Sequence, residues 1–477
     1  MIFFKILKAK LLNSLIKSIL PIFIVPFYLN IWGSESYADW IFYYNLCAIF
    51  TLLDLGFNQF SATHLHLSSS KNSTTFQRLI GACNASYFIY FFLYICLVLF
   101  FYFFGINFIN DFNFSLFFFL GSWYFFSLLN AYLIQMYRVF NEDHIGTYFA
   151  IFYNIFLYGG TIIFLYYFSF DLIKIASLQL AIVNFSTITT FYFLKKKYNK
   201  IYYLFFDLKE IKSNLIKSSY YLLYKFSTYL SVNMPIILIS IFNQAYILSF
   251  TLNRTLANIQ GQFINLAHNS LIQNITNNSK NTNLTKSFFI FSMNIMFATS
   301  IMMGIITYLF YELLLSFWLE YSQNFDINSI INYELIKLIL IYTIIYNLWK
   351  SATIFVTSIN KHEQLSRIYM VYSIVLAITI FIAVFYGDIY SMLKSMILLE
   401  SILLFYILKM VIQRVLGVSL LHLLKNMLLN LIPLTISILI MYLFNAQLAF
   451  ILIILVYGLY VYANIKVNEG IYRKFLR

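Results

Sequence analysis

Five ionisable side chains stand inside stretches otherwise made of Phe, Leu, Ile, Tyr and Val: Asp54, Lys225, Arg254, Lys350 and Glu400. At the centre of a bilayer each costs about 2.5 to 3.5 kcal/mol, so each must be paired or face water, and a wet central cavity accommodates all five. Three are cations. Arg presents a planar fork of donors and Lys a point charge, and both suit phosphate oxygens. The stripe Arg254, Asn258, Gln262, Asn265, Asn269 recurs at steps of three or four, which puts these residues on one helical face. Such amides suit sugar hydroxyls, and the same spacing also serves to glue helices together. Thr51, Asp54, Asn58 and Ser61 fall at a similar interval.

Two roles are open to Asp54 and Glu400: exchanging protons during a cycle, or pairing statically with a Lys or Arg of the cavity. The coupling ion would be H+ or Na+, and no cofactor is expected. His268, beside the stripe, is placed either to relay protons or to hydrogen-bond in the core. His64 and His66 are two apart and do not share a helical face, and Cys47, Cys83 and Cys96 have neither zinc nor disulfide spacing, so no metal site is expected.

The elements that must hold these groups follow from composition. The 477 residues are 62% hydrophobic and only 10% charged, which excludes a soluble globular enzyme and a disordered chain. With 14 glycines and no GxGxxG or Walker A pattern, phosphate cradles of the nucleotide-binding kind are excluded too. A window of about 19 residues finds fourteen apolar runs long enough to cross the membrane as helices, from 12–31 and 38–63 through 218–242 and 244–272 to 426–446 and 448–466. The eighth, 244–272, is the least hydrophobic because it carries the polar stripe. The first run has four lysines at its start, Lys5, Lys8, Lys10 and Lys17, and no A-x-A site after it, and reads as an uncleaved span.

Assigning alternate loops to opposite sides puts twenty-five Lys and Arg on the side of both termini and three, Lys174, Lys337 and Lys394, on the other. This is the asymmetry of a cytoplasmic face. The net charge of +14 therefore belongs to an anionic membrane surface and not to nucleic acid. Acids run the other way, with Glu35, Asp111, Asp171, Asp326 and Asp388 outside; Glu142 and Asp143, beside Arg138, read as a solvated inner cluster.

Residues 195–217, with seven lysines, divide the chain. The expected organisation is an N-lobe of six spans (1–194), this basic cytoplasmic linker lying at the interface, a C-lobe of six spans (218–413), and two extra spans (414–477). Six is even, so the lobes enter the membrane alike and a pseudo-two-fold parallel repeat is allowed. Pro21 and Pro26 in the first span and Pro235 in the seventh mark sites where a helix kinks or bends.

At Leu53, Asp54, Leu55, Gly56 and Phe57 the chain resembles the DLG stretch of bacterial polysaccharide flippases, members of the multidrug/oligosaccharidyl-lipid/polysaccharide (MOP) superfamily. Pro21 to Phe27 with the turn at Trp32, Gly33 and Ser34 resembles that family's first hairpin, and Tyr220 to Asn277 its second-lobe opening. The acidic residue often seen there in the seventh span is absent, with Asn233 nearby. The resemblance implies an all-α, MATE-like fold in the bacterial inner membrane and transport by alternating access. Its implied cargo is a polyprenyl-pyrophosphate-linked oligosaccharide of the O-antigen or capsule type, with a polysaccharide polymerase and glycosyltransferases as partners besides membrane lipids. Lys225, Arg254, Lys350, Asn258, Gln262 and Asn265 are then the cavity residues that bind it, with Asp54 and Glu400 as cavity acids. A lipid-linked peptidoglycan precursor flippase and a multidrug exporter are the near alternatives, although a cationic cavity disfavours cationic drugs. A polytopic glycosyltransferase or polymerase needs a large external loop, and 319–331 is too short for one; no enzyme is expected.

Overall fold

The computed structural model describes residues 2–58, 65, 74–108, 112–140, 142–198, 208–259, 261, 282–320, 322, 326–358 and 363–413, with isolated positions between 417 and 459. The described chain is helical throughout: α1 (Ile2–Cys47) runs into a 3-10 turn (Ala48–Asp54), followed by α2 (Thr74–Phe108), α3 (Phe114–Val139), α4 (Asp143–Phe168), α5 (Leu172–Lys197), α6 (Leu208–Val232) and α7 (Met234–Phe242). Then come α8 (247–259), α9 (Thr282–Leu309), α10 (Tyr311–Leu319), α11 (Tyr333–Ser358), α12 (Glu363–Tyr386) and α13 (Ile389–Tyr406), which passes into a π turn (Ile407–Ile412).

Ten stretches among the described residues are long and apolar enough to cross a membrane. Nine coincide with expected spans, and the tenth, Lys8–Asp54, holds the first two. Gly33 separates these at φ 74° and ψ 178°, a conformation open to glycine, at the turn expected from Trp32 to Ser34. The eighth span lies partly, and the last two almost wholly, outside the described residues.

The seventh span continues from α6 into α7 through Asn233, which keeps right-handed helical φ/ψ, donates to Tyr229 O at 2.8 Å and accepts from Ile237 N at 3.0 Å. Pro235, in the first turn of α7, lacks the N–H that would continue this ladder. Residues 208–217 of the expected linker form the first turns of α6. Pro21 and Pro26 sit inside α1 without ending it.

The chain divides by contact density into two compact units, residues 1–244 with 321–325, and 245–320 with 326–477. In the first, α1 packs on α4 and α3 on α5; in the second, α11 packs on α13 and α9. The seventh span therefore packs with the first unit. Aromatic rings fill that unit's interior: Tyr28 stacks on Trp32 at 4.4 Å, and Tyr44 touches Trp123 at 5.7 Å and Tyr124 at 5.4 Å.

Helix ends are capped where the charge pattern changes sign. Asp171 accepts from Lys174 N at 2.9 Å and Asp388 from Ser391 N at 2.7 Å. These backbone bonds hold both carboxyls below the usual range. Glu142 and Asp143 do not form the solvated cluster with Arg138 that the sequence suggested. Glu142 pairs with Lys197 at 2.6 Å and accepts from Tyr198, while Asp143 pairs with Lys10 at 2.6 Å. Each joins a helix distant in sequence.

Candidate functional site

In the first unit the expected cavity groups Asp54 and Lys225 meet. Asp54 has no solvent exposure; Lys225 Nζ donates to its two carboxylate oxygens at 2.7 and 2.5 Å. The positions are set by the backbone. The second span ends as a 3-10 turn, Leu55 enters the left-handed region at φ 47°, and Gly56 follows at φ 75°. Asp54 Oδ1 accepts from Gly56 N at 2.9 Å, closing an Asx-type turn that holds the carboxylate toward α6. A Cβ on Gly56 would lie 2.7 Å from both Leu222 N and Ser218 O, so only glycine lets the turn lie against the α6 backbone. The DLG stretch is thus the joint between the second and seventh spans: the Gly makes the approach and the Asp receives the Lys.

That joint overturns the even helical stripe suggested for Thr51, Asp54, Asn58 and Ser61. Thr51 bonds locally to Ala48 O at 2.6 Å, and Ser61 lies outside the described residues. Asn58 donates to Leu128 O at 3.2 Å and accepts from Tyr87, whose ring lies 4.6 Å from that of Tyr132. Tyr132 in turn donates to Asn84 at 2.9 Å. Of this network only Asn58 was marked by periodicity; Tyr87, Tyr132 and Asn84 carried no signal in charge or spacing.

In the second unit Arg254 is buried at 8% exposure on α8, with its guanidinium 5.8 Å from the Phe250 ring and close enough to Tyr342 and Tyr346 to interact with them electrostatically. Its neighbour Asn253 anchors α8 by donating to Ser249 O at 2.8 Å and Ile330 O at 3.4 Å. Asn258 is exposed one turn on; Gln262, Asn265, His268 and Asn269 lie outside the described residues. Beyond Asn258, Gly261 brings α8 against α11: a Cβ there would lie 3.1 Å from Asn347 Oδ1.

Glu400 is also fully buried, with Trp349 Nε1 donating to one oxygen and Tyr372 OH to the other at 2.5 Å. Tyr342 interacts with both Glu400 and Arg254. Lys350 is half-buried with Nζ 5.6 Å from the Tyr346 ring. Tyr342, Tyr346, Trp349 and Lys350 recur at helical spacing along one side of α11. Only Lys350 of the four was marked by sequence; the aromatic rings were hidden among the 21% of residues that are Phe, Trp or Tyr.

Chemically, the two units differ. The first holds a closed ion pair, whereas the second holds a buried guanidinium bordered by tyrosines and a separate carboxylate already engaged by two donors.

No profile of a known protein family matches the sequence, and no curated protein matches it. Solved structures do. The chain is similar to a lipid II flippase, MurJ, in an inward closed conformation, at 15% identity and a TM-score of 0.64, covering 98% of this chain and 99% of that one. It is similar to an inward-facing multidrug resistance MATE family transporter of the MOP superfamily at 12% identity and a TM-score of 0.61, covering 83% and 92%. A third structure, a MOP superfamily transporter from Pyrococcus furiosus described as having a binding pocket of reverse polarity, matches at 10% identity and a TM-score of 0.57, covering 88% and 96%. The chain has the fold of these transporters, a MATE-like all-α membrane architecture.

Proposed function

We propose that this protein is a MOP-type exporter that flips a polyprenyl-pyrophosphate-linked oligosaccharide across the bacterial inner membrane by alternating access. The observation that carries the reading is Arg254, a buried guanidinium among tyrosines in a chain of this fold. A guanidinium held in apolar surroundings is a strong receptor for pyrophosphate oxygens. Lys350, half-buried with no ion pair among the described residues, adds a second positive charge on the same unit. The two carboxylates buried among the described residues offer little to a cationic drug, since Asp54 is paired to Lys225 and Glu400 is held by Trp349 and Tyr372.

The test is surface polysaccharide in the native host. Arg254→Ala abolishes polymer while the protein still inserts and folds, and Arg254→Lys restores a part. Normal polymer from Arg254→Ala removes Arg254 from the mechanism. A second reading, a lipid-linked peptidoglycan precursor as cargo, draws on the near-complete overlap with the lipid II flippase. Rescue of a strain depleted of its own lipid II flippase would select it over the polysaccharide cargo.

A further inference from the structure

The helices α12 and α13 pack as a hairpin joined at Gly387 and Asp388. Between them runs a groove of about 460 Å³. Along it Arg367 stands at the level of Tyr406, Val371 at that of Ile402, and Val375 at that of Leu399, as an antiparallel pair requires. Val371, Val375, Ile402 and Tyr406 are exposed, so the groove opens to the surroundings of the helix pair, which in a membrane are acyl chains.

One end of this apolar groove is cationic. Arg367 is exposed at its mouth, and it forms no ion pair among the described residues. Lys409 is exposed just beyond Tyr406, 5.9 Å from the Phe405 ring. It lies within the π turn Ile407–Ile412, where an extra residue per turn re-aims the helix face just past the groove. The charge count puts this end on the basic, cytoplasmic side of the chain. The groove thus has an apolar channel lined at one end by Arg367 and Tyr406, with a second exposed cation, Lys409, three residues beyond Tyr406, the form of a seat for a lipid with a phosphate and a net negative charge. A zwitterionic lipid brings its own cation to the same place and gains less.

We propose that this groove binds an anionic glycerophospholipid of the cytoplasmic leaflet, with the phosphate at Arg367 and Lys409 and an acyl chain along Val371, Val375 and Ile402. The seat is not isolated from the interior. Tyr372 lines the groove while its hydroxyl donates to buried Glu400, so a bound chain rests against the side chain that holds that acid.

The test uses the full chain, purified in detergent and examined by native mass spectrometry with equimolar phosphatidylglycerol and phosphatidylcholine of identical acyl chains. The protein retains phosphatidylglycerol over phosphatidylcholine by about fivefold, the effect of one basic residue at a membrane surface. Arg367→Gln lowers the ratio at least twofold, its combination with Lys409→Gln brings it close to one, and Arg367→Lys keeps most of it. Lys394→Gln, which removes a charge at the opposite end of α13, leaves the ratio unchanged. Val371→Trp fills the groove and lowers the retention of both lipids, whereas Ile382→Trp, exposed farther along α12, does not. The proposal is overturned by equal retention of the two lipids, by a wild-type ratio in Arg367→Gln, or by undiminished binding in Val371→Trp. None of these measurements involves transport, so their outcome is independent of the cargo.

Discussion

The joint between Asp54 and Lys225 makes an asymmetric prediction. Asp54 has no contact with solvent, whereas the Lys225 side chain keeps 27% of its exposure. Lys225→Met leaves a carboxylate with no water and no counter-charge, a situation that costs about 3 to 5 kcal/mol. Asp54→Asn is milder, because its amide oxygen still accepts from Gly56 N and the freed ammonium can turn toward solvent; about 1 to 2 kcal/mol is expected. The double variant removes both charges together and should recover at least 2 kcal/mol relative to Lys225→Met, a coupling of the size found for residues in one network. Thermal unfolding in detergent micelles, followed by tryptophan fluorescence, reads the order: wild type, then Asp54→Asn, then the double variant near it, then Lys225→Met lowest. The reasoning is refuted if Lys225→Met is no less stable than Asp54→Asn, or if the double variant is as unstable as Lys225→Met.

Gly33 and Gly56 share a positive φ but differ in surroundings, with nothing within 4 Å of a Cβ at Gly33. Gly33→Ala should therefore cost about 1 to 3 kcal/mol of backbone strain alone, and Gly56→Ala more, because its methyl also meets α6 backbone; the two melting curves compare them directly. Glu400→Gln offers one acceptor to two donors, so a loss of about 1 to 3 kcal/mol with a shift in Trp349 emission is expected, and an unchanged melting curve counts against the arrangement. Burial alone would push the Glu142 carboxyl up, and hydrogen bonds from Lys197 and Tyr198 with the Lys197 charge overcome this and hold it below the usual range. Its contribution, under about 1 kcal/mol for a half-exposed pair, is present above the unfolded pKa near 4.3 and lost as pH falls through the lower folded value. Lys197→Ala should flatten that part of the acid stability profile.

The fold was legible in the sequence because a bilayer enforces length and hydropathy on every crossing helix. Span ends such as Leu172 and Ile389 therefore lie at the expected positions. What could not be read is how a span bends within itself. Thr51 and Asp54 look like helix-face neighbours until the 3-10 turn and the left-handed pair Leu55 and Gly56 re-aim the carboxylate. The partner of Asp54 was named only as some lysine or arginine, since choosing Lys225 needs a contact across 171 residues. Trp349 and Tyr372 were invisible for another reason: in a chain this aromatic, a ring with a hydrogen-bonding role has the same sequence signature as one that only packs.

The placement of charge at the helix ends follows from two rules that agree on one set of helices and conflict on the other. α5 begins on the acidic side with Asp171 as its cap and finishes on the basic side with Lys195, Lys196 and Lys197 at its C-terminus, so the macrodipole and the loop charge are satisfied together. α4 runs the other way. Its N-terminus lies on the basic side, where the dipole favours an acid and the loop bias favours a base. The chain meets both demands by placing Glu142 and Asp143 at that N-terminus and pairing them with Lys197 from α5 and Lys10 from α1. The conflict thereby becomes a set of ties among three helices of the first unit, so charged residues at the helix ends also help fix those ends against one another.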